Sequence, residues 1–138
     1  MKYRYTSCVP VDLSAKWIKR PMLEIEVFGK TNGKFLALID SGADCSLFNI
    51  QIAQALDIDL SKAKRINLTG ISGTINGYCL DSLKIKIDGI DKTIGIPVCF
   101  IDSDTVGLLL GQSGFFDKCR IKFEKDHDAF EINLVEKK

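Results

Sequence analysis

From Met22 to Phe28 apolar and charged side chains take turns in "MLEIEVFG", the two-residue period of a strand with one face in a core. "GKTNGK" then supplies turn residues and "FLALID" restores apolar character, which predicts a hairpin. "LDSLKIKIDGIDKTIGIPVCFI" repeats the arrangement: Leu83, Ile85 and Ile87 alternate with lysines, Asp88-Gly89 marks a tight turn, and a second apolar strand follows. "RIKFE" and "AFEINLV" flank a polar turn at Asp126 to Asp128 and predict a third pair. Helical spacing is scarce. "NIQIAQALDI" offers Asn49 as N-cap, with Ile50, Ala53 and Leu56 on one face, for about two turns. A shorter helical piece is expected after Gly111 in "GQSGFFDK". The pattern predicts an all-β domain with one or two short helices.

A chain of 138 residues suits one compact domain, and 46% hydrophobic with 27% charged residues is an ordinary globular balance. Its apolar runs never reach the ~20 residues of a membrane span. The start, "MKYRYTSCVPVDLSAKWIKRP", lacks the apolar stretch and small-residue cleavage pattern of a signal peptide, so the expected location is cytoplasmic. Net charge is +1, which argues against a nucleic-acid surface. The charge is uneven: residues 1–20 hold five Lys/Arg against one Asp (+4), and the rest hold 14 against 17 (−3). The expected organisation is therefore a basic, extended N-terminal segment over residues 1–20 and a folded domain over 21–138.

Five cysteines, Cys8, Cys45, Cys79, Cys99 and Cys119, include no C-x-x-C spacing, which removes the usual zinc and thiol-redox signatures. Cys99 and Cys119 sit amid apolar residues and are expected to be small core groups. The single histidine, His127, lies in the polar "EKDHDAF" and reads as a turn residue, so neither a Cys/His dyad nor a serine triad has support. "LDIDLS" and "FIDSDTV" pair aspartates without the glycine and terminal glutamate of a calcium loop, and read as solvated turns. No metal or cofactor is expected.

The chemistry gathers at "FLALIDSGADCSLFN". An apolar strand runs straight into Asp40, and an ionised carboxylate away from water is costly unless it is partnered. Ser41 brings a hydroxyl, Gly42 takes backbone angles closed to other residues, and Ala43 permits close approach of a second loop. Such a turn presents Asp40 toward a cleft. A short echo, "GLLLGQSG" followed by "FFD", repeats the order of apolar run, glycine turn and aromatics.

Leu38-Ile39-Asp40-Ser41-Gly42-Ala43 resembles the signature of the retropepsin-like aspartic proteases: two apolar residues, Asp, Thr or Ser, Gly and Ala. "TGISGTINGY", Thr69 to Tyr78, is similar to the hairpin flap that covers substrate in that family. "GLLLGQSGFF" is similar to the apolar triplet and glycine that brace its catalytic loop, with Gln112 where many relatives carry Arg, Asn or Ser. The likeness spans about residues 22–124. It implies a retropepsin-like acid protease barrel. The implied catalytic residues are Asp40, Ser41 and Gly42, and the implied substrate-binding residues are Ala43, Gly70, Ile71, Ser72, Gly73 and Thr74.

The same resemblance implies the mechanism and the assembly. Two carboxylates about 3 Å apart share one proton, the standard situation of an aspartic protease. The ionised one takes a proton from water, and the protonated one donates to the scissile carbonyl. One chain has a single Asp-Ser-Gly, so a twofold homodimer would have to supply the second Asp40. The partners implied are an extended peptide or protein substrate and a second copy of the chain, with neither nucleic acid nor membrane. Ile71, Ile75, Leu47, Val106 and Leu108 are candidate pocket residues. Ala43 has no hydroxyl to donate to the carboxylates, which implies a mildly acidic to near-neutral optimum. The other reading of the same features is a retropepsin-like module that no longer cleaves and serves in dimerisation or peptide binding.

Overall fold

In the computed structural model, residues 1–10, 16–70, 73–103 and 107–136 are described. The domain is all-β, with one six-residue α-helix and short irregular turns among the described residues. Among the described residues, no helix is long and apolar enough to cross a membrane.

The alternating segment Met22–Phe28 is strand β4 of the chain, following the short strands β1 (Lys2–Arg4), β2 (Thr6–Cys8) and β3 (Ile18–Arg20). Leu23, Ile25 and Val27 point inward from β4 and are buried, while Glu24 stays out. β5 (Asn32–Ile39) folds back on β4 from Met22↔Leu38 to Phe28↔Asn32, so the hairpin turn is only three residues long and "NGK" belongs to the strand. β6 (Ser46–Asn49) leads into α1 (Ile50–Ala55), where Asn49 Oδ1 accepts from Gln51 N at 2.9 Å as the expected N-cap. The buried side of this helix carries Ile52 and Ala53, with Leu56 just past its end; Ile50 is half-buried.

β7 (Lys64–Gly70) and β8 (Gly73–Ile87) form a hairpin, and β8 continues through a register shift between Leu80 and Leu83 into the barrel wall. There Leu83, Ile85 and Ile87 are buried and the lysines face out, as the period predicts. The Asp88-Gly89 turn follows, with Gly89 at φ +82°. β9 (Thr93–Ile101) pairs antiparallel with β8. β10 (Leu108–Leu110) inserts between β5, to which it is parallel, and β6, to which it is antiparallel.

The resulting order is β4-β5-β10-β6-β9-β8-β7, and an extra β4–β8 pairing closes the first six strands on themselves. β7 hangs outside as the outer arm of the hairpin. β11 (Cys119–Glu124) and β12 (Ala129–Leu134) form the third predicted pair, which β1 extends into a three-stranded sheet. β2 and β3 make a separate two-stranded ribbon.

Phe48 and Phe100, cross-strand neighbours of β6 and β9, meet edge to face at 5.8 Å in the core. Phe115 and Phe130 are equally buried. Each such side chain contributes roughly 1.5–3 kcal/mol through burial alone. Tyr3 stacks on Phe130 at 5.2 Å and fixes β1 to the body.

Candidate active site

Asp40 follows the last residue of β5, and the loop from Asp40 to Cys45 crosses the end of β10 to reach β6. Because β10 lies between the two arms, its backbone and that of the turn behind it hold the loop. Asp40 N donates to Leu110 O (2.9 Å), Gln112 N to Ala43 O (2.9 Å) and Ser113 N to Asp44 O (2.9 Å). Within the loop, Ala43 N donates to Asp40 O (3.2 Å) and Gly42 N to Asp40 Oδ1 (2.9 Å). The last of these orients the carboxylate. Asp40 is half-buried at the strand end, beside exposed Ser41 and Gly42, so its charge is neither sunk in the core nor free to swing.

Two side chains complete the brace. Gln112 Nε2 donates to Ser41 O at 2.8 Å, so the loop is tied through the Ser41 carbonyl. Ser46, fully buried, accepts from Gly111 N through Oγ at 3.1 Å. Gly111 has no room for a side chain, because a Cβ there would collide with the backbone carbonyls of Cys45 and Ala43. This is the close approach that glycine alone allows. The expected helical piece after Gly111 is an irregular turn over Gln112–Phe116, in which Ser113 and Gly114 leave helical angles.

Asp40, Ser41, Gly42 and Ala43 thus form one compact group. Gly70, Gly73 and Thr74 form a second, at the end of the β7–β8 hairpin, where Gly70 pairs with Gly73 and Thr69 with Thr74. Gly73 sits at φ +113°, which favours glycine. Ile71 and Ser72 lie outside the described residues, as does Val106.

These features agree with one family. The family described as Aspartyl protease matches residues 23–113, from β4 through the Gly111 turn. The chain belongs to the aspartyl protease family. The crystal structure of a retropepsin-like aspartic protease from Rickettsia conorii shares the fold, with a TM-score of 0.60 over 81% of this chain and 89% of that one, at 23% identity. The fold class is therefore retropepsin-like. No curated protein matches the chain by sequence.

In this aspartyl protease-family chain an open, largely apolar pocket of about 410 Å³ adjoins the Asp40 strand. Met22, Leu36, Leu38, Leu108 and Leu109 line it together with Arg20. Leu108 is an expected pocket residue; Leu38 belongs to the signature, Leu109 to the bracing triplet and Met22 to the alternating strand, and none of these three is an expected pocket residue, although Leu38 stands only two positions before Asp40. A second groove of about 420 Å³, reaching α1 through Ile52 and Ala55, shares Leu36, Gly107 and Leu108 with the first. The two run side by side along β5.

The remaining nucleophile candidates have other roles. Cys45 is half-buried, and desolvation, followed by the neighbouring Asp44 charge, raises its thiol above the ordinary range. Burial pushes the Cys119 thiol up to about 11. Cys99 is buried as expected, but it is disulfide-bonded to Cys79, directly across from it on β8, with Cα atoms 4.0 Å apart. A separation of 20 residues is not one of the short cysteine spacings, so the bond shows only once β8 and β9 are paired. His127 is exposed in the β11–β12 turn, 3.3 Å from Asp126, as a turn histidine should be. Asp59 in "LDIDLS" accepts from Ser61 N and closes a surface turn.

Proposed function

We propose that the chain is an aspartic endopeptidase that works as a twofold homodimer, with Asp40 of each copy forming the catalytic pair. The observation that carries this reading is the Asp40 loop. Its carboxylate is half-exposed, its Oδ1 is fixed by Gly42 N, and its backbone is clamped from behind by β10 and Gln112. Preorganised geometry of this kind is what a general acid–base pair requires, since water and the scissile carbonyl must both meet the carboxylates at hydrogen-bond distance.

One Asp40 is ionised and accepts a proton from the water between the pair; the hydroxide adds to the scissile carbonyl carbon. The protonated Asp40 gives its proton to the carbonyl oxygen, which yields a tetrahedral gem-diol. Collapse returns a proton to the carboxylates and delivers one to the departing amine, so the pair ends as it began. Ser41 and Gly42 shape the turn. Ala43, Gly70, Ile71, Ser72, Gly73 and Thr74 contact an extended peptide laid between the loop and the hairpin. The apolar pocket at Leu38 and Leu109 receives one of its side chains.

A peptide-library digest by wild type and Asp40→Asn across pH 3 to 8 tests the proposal. Cleavage peaking at mildly acidic to near-neutral pH, and lost in Asp40→Asn while the dimer persists, is the expected result. A wild-type protein that folds and dimerises but cleaves nothing would leave the fold as a binding or dimerisation module instead.

A further inference from the structure

The open pocket beside the Asp40 strand has two walls of different origin. Leu36, Leu38, Leu108 and Leu109 form one, and all lie within residues 23–113, the stretch that matches the aspartyl protease family. Cys8, Val9 and Arg20 form the other, and all three precede that match. Half of the pocket is therefore built from a segment outside the matched domain.

That second wall is the ribbon of β2 and β3. Cys8 lies opposite Ile18 and Thr6 opposite Arg20, so Cys8 and Arg20 stand on the same side of the ribbon, and both line the pocket. Val9 continues the wall directly past the end of β2, and the next residue, Pro10, is buried. Cys8 Sγ donates to Thr6 O at 3.4 Å, which keeps the thiol hydrogen within the ribbon.

A two-stranded ribbon alone is marginal in water and could not define a pocket. Here it is tethered at both ends. Just before β2, Tyr5 N donates to Asp128 O at 2.8 Å and the Tyr5 ring lies 5.2 Å from Lys125 Nζ; Lys19 of β3 pairs with Asp128 at 3.5 Å. Just after β3, Pro21 O accepts from Ile39 N at 3.1 Å, one residue before Asp40. The ribbon is thus fixed between the β11–β12 turn and the strand that delivers the candidate catalytic carboxylate.

Both walls hold apolar surface open to water, with Val9 55% and Leu36 50% exposed. An apolar side chain entering between them takes that surface out of water, which favours its binding. Among the described lining residues Arg20 is the only charged one, so a lysine or arginine side chain of the peptide is disfavoured there.

We propose that Val9 is a specificity-determining residue: from the ribbon it sets the size of the substrate side chain that the pocket beside Asp40 accepts. The pocket selects peptides with a large apolar side chain, such as Phe or Leu, over those with a small or basic one. This rests on the aspartic endopeptidase reading above, and the occupant is the peptide because the pocket is continuous with the Asp40 strand.

Full-length Val9→Trp, Val9→Ala and Val9→Ile test it. The Val9 side chain is largely exposed, so all three are expected to keep the wild-type circular dichroism spectrum. Each is assayed on peptides that differ only in carrying Phe, Leu, Ala or Lys at the most selective position of the wild-type library digest. Where the digest is silent, that position comes from library binding to Asp40→Asn. One methylene in an apolar pocket is worth about 10- to 200-fold in selectivity, so Val9→Trp should lower kcat/KM for the Phe peptide at least about 10-fold and for the Ala peptide less than about 3-fold. Val9→Ala should raise the preference for Phe over Leu several-fold, and Val9→Ile should stay near wild type. If Val9→Trp unfolds, the Phe-to-Leu ratio of Val9→Ala decides. Calorimetric binding of the same peptides to Asp40→Asn forms of each protein reads the pocket without cleavage. Asp40-dependent cleavage with the same side-chain ratios in wild type and Val9 variants overturns the proposal and leaves the protease reading standing. Binding ratios that follow residue 9 in a chain that never cleaves support the ribbon wall and overturn the protease reading. Neither binding nor cleavage of any peptide overturns both.

Discussion

Gln112 reaches back from the turn after β10 and donates its side-chain amide to the carbonyl of Ser41, 2.8 Å away. The residue next to the candidate catalytic aspartate is thus held by a side chain 71 positions further along the chain. A hydrogen bond of this kind is worth about 0.5–1.5 kcal/mol net. Both partners are exposed, so its loss should cost more in loop geometry than in stability. Gln112→Ala is expected to lower kcat about 3- to 10-fold on a peptide found by the Asp40-dependent digest, with KM and the urea midpoint little changed. An equal rise in KM at unchanged kcat would mean that Gln112 acts in binding instead of holding the loop.

Ser46 is the one fully buried polar side chain among the described residues, and its hydroxyl accepts from Gly111 N. Removing the hydroxyl strands that buried N–H without a partner, which costs about 1–3 kcal/mol. Ser46→Ala should therefore lower unfolding free energy by that amount in urea titrations with an unchanged slope. Gly111→Ala should do more damage, because its methyl group would overlap the backbone of Cys45 and Ala43. A Gly111→Ala protein as stable as wild type would contradict the close loop packing described above.

What was legible in the chain follows from how each part is buried. β4, the barrel half of β8 and the β11–β12 pair each have one face in the core, so their apolar residues recur with period two. The Asp40 turn was legible because an acidic residue closing an apolar strand is rare without a chemical reason. β10 carried no period, since "LLL" is short and lies between two strands. The first half of β8 carried no core-facing period, since Gly73, Thr74 and Asn76 are exposed, and it was legible only through the likeness of Thr69 to Tyr78 to a flap hairpin. β1 to β3 are three residues each and lie in a segment that is basic as a whole, a composition equally that of a solvated tail. The Cys79–Cys99 bond depends on the alignment of β8 with β9 across a register shift, which spacing along one chain does not reveal.

That bond ties the inner strand of the hairpin to the barrel wall: Cys79 faces Lys64 of β7 on one side and Cys99 of β9 on the other. It encloses a separation of 20 residues, for which the loss of unfolded-chain entropy corresponds to about 2–4 kcal/mol. Protein handled without reductant should titrate three thiols when denatured, Cys8, Cys45 and Cys119, and five after reduction. Replacing Cys79 and Cys99 together by alanine should lower stability by the stated amount. Five thiols before reduction would refute the bond directly.

Tyr3 supplies the clearest dependence on pH. Its hydroxyl donates to Asp88 O at 2.6 Å while its ring stacks on Phe130, which anchors β1 to the barrel. Burial, then the Asp88 charge, then Cys119, push its phenol from 10.0 up to about 12. The folded state therefore holds this proton more tightly than the unfolded chain does. The stabilisation is complete below pH 10 and is lost as pH rises from 10 to about 12. Cys119, raised from 9.0 to about 11, titrates in an overlapping range and its charge acts on Tyr3, so both proteins are compared in a Cys119→Ser background. Urea midpoints of wild type and Tyr3→Phe, measured from pH 8 to 11.5, should differ by a constant amount up to pH 10. Above it the two should converge, as wild type loses an advantage that the variant never had. Parallel curves throughout would show that the hydroxyl of Tyr3 is not held in the folded protein.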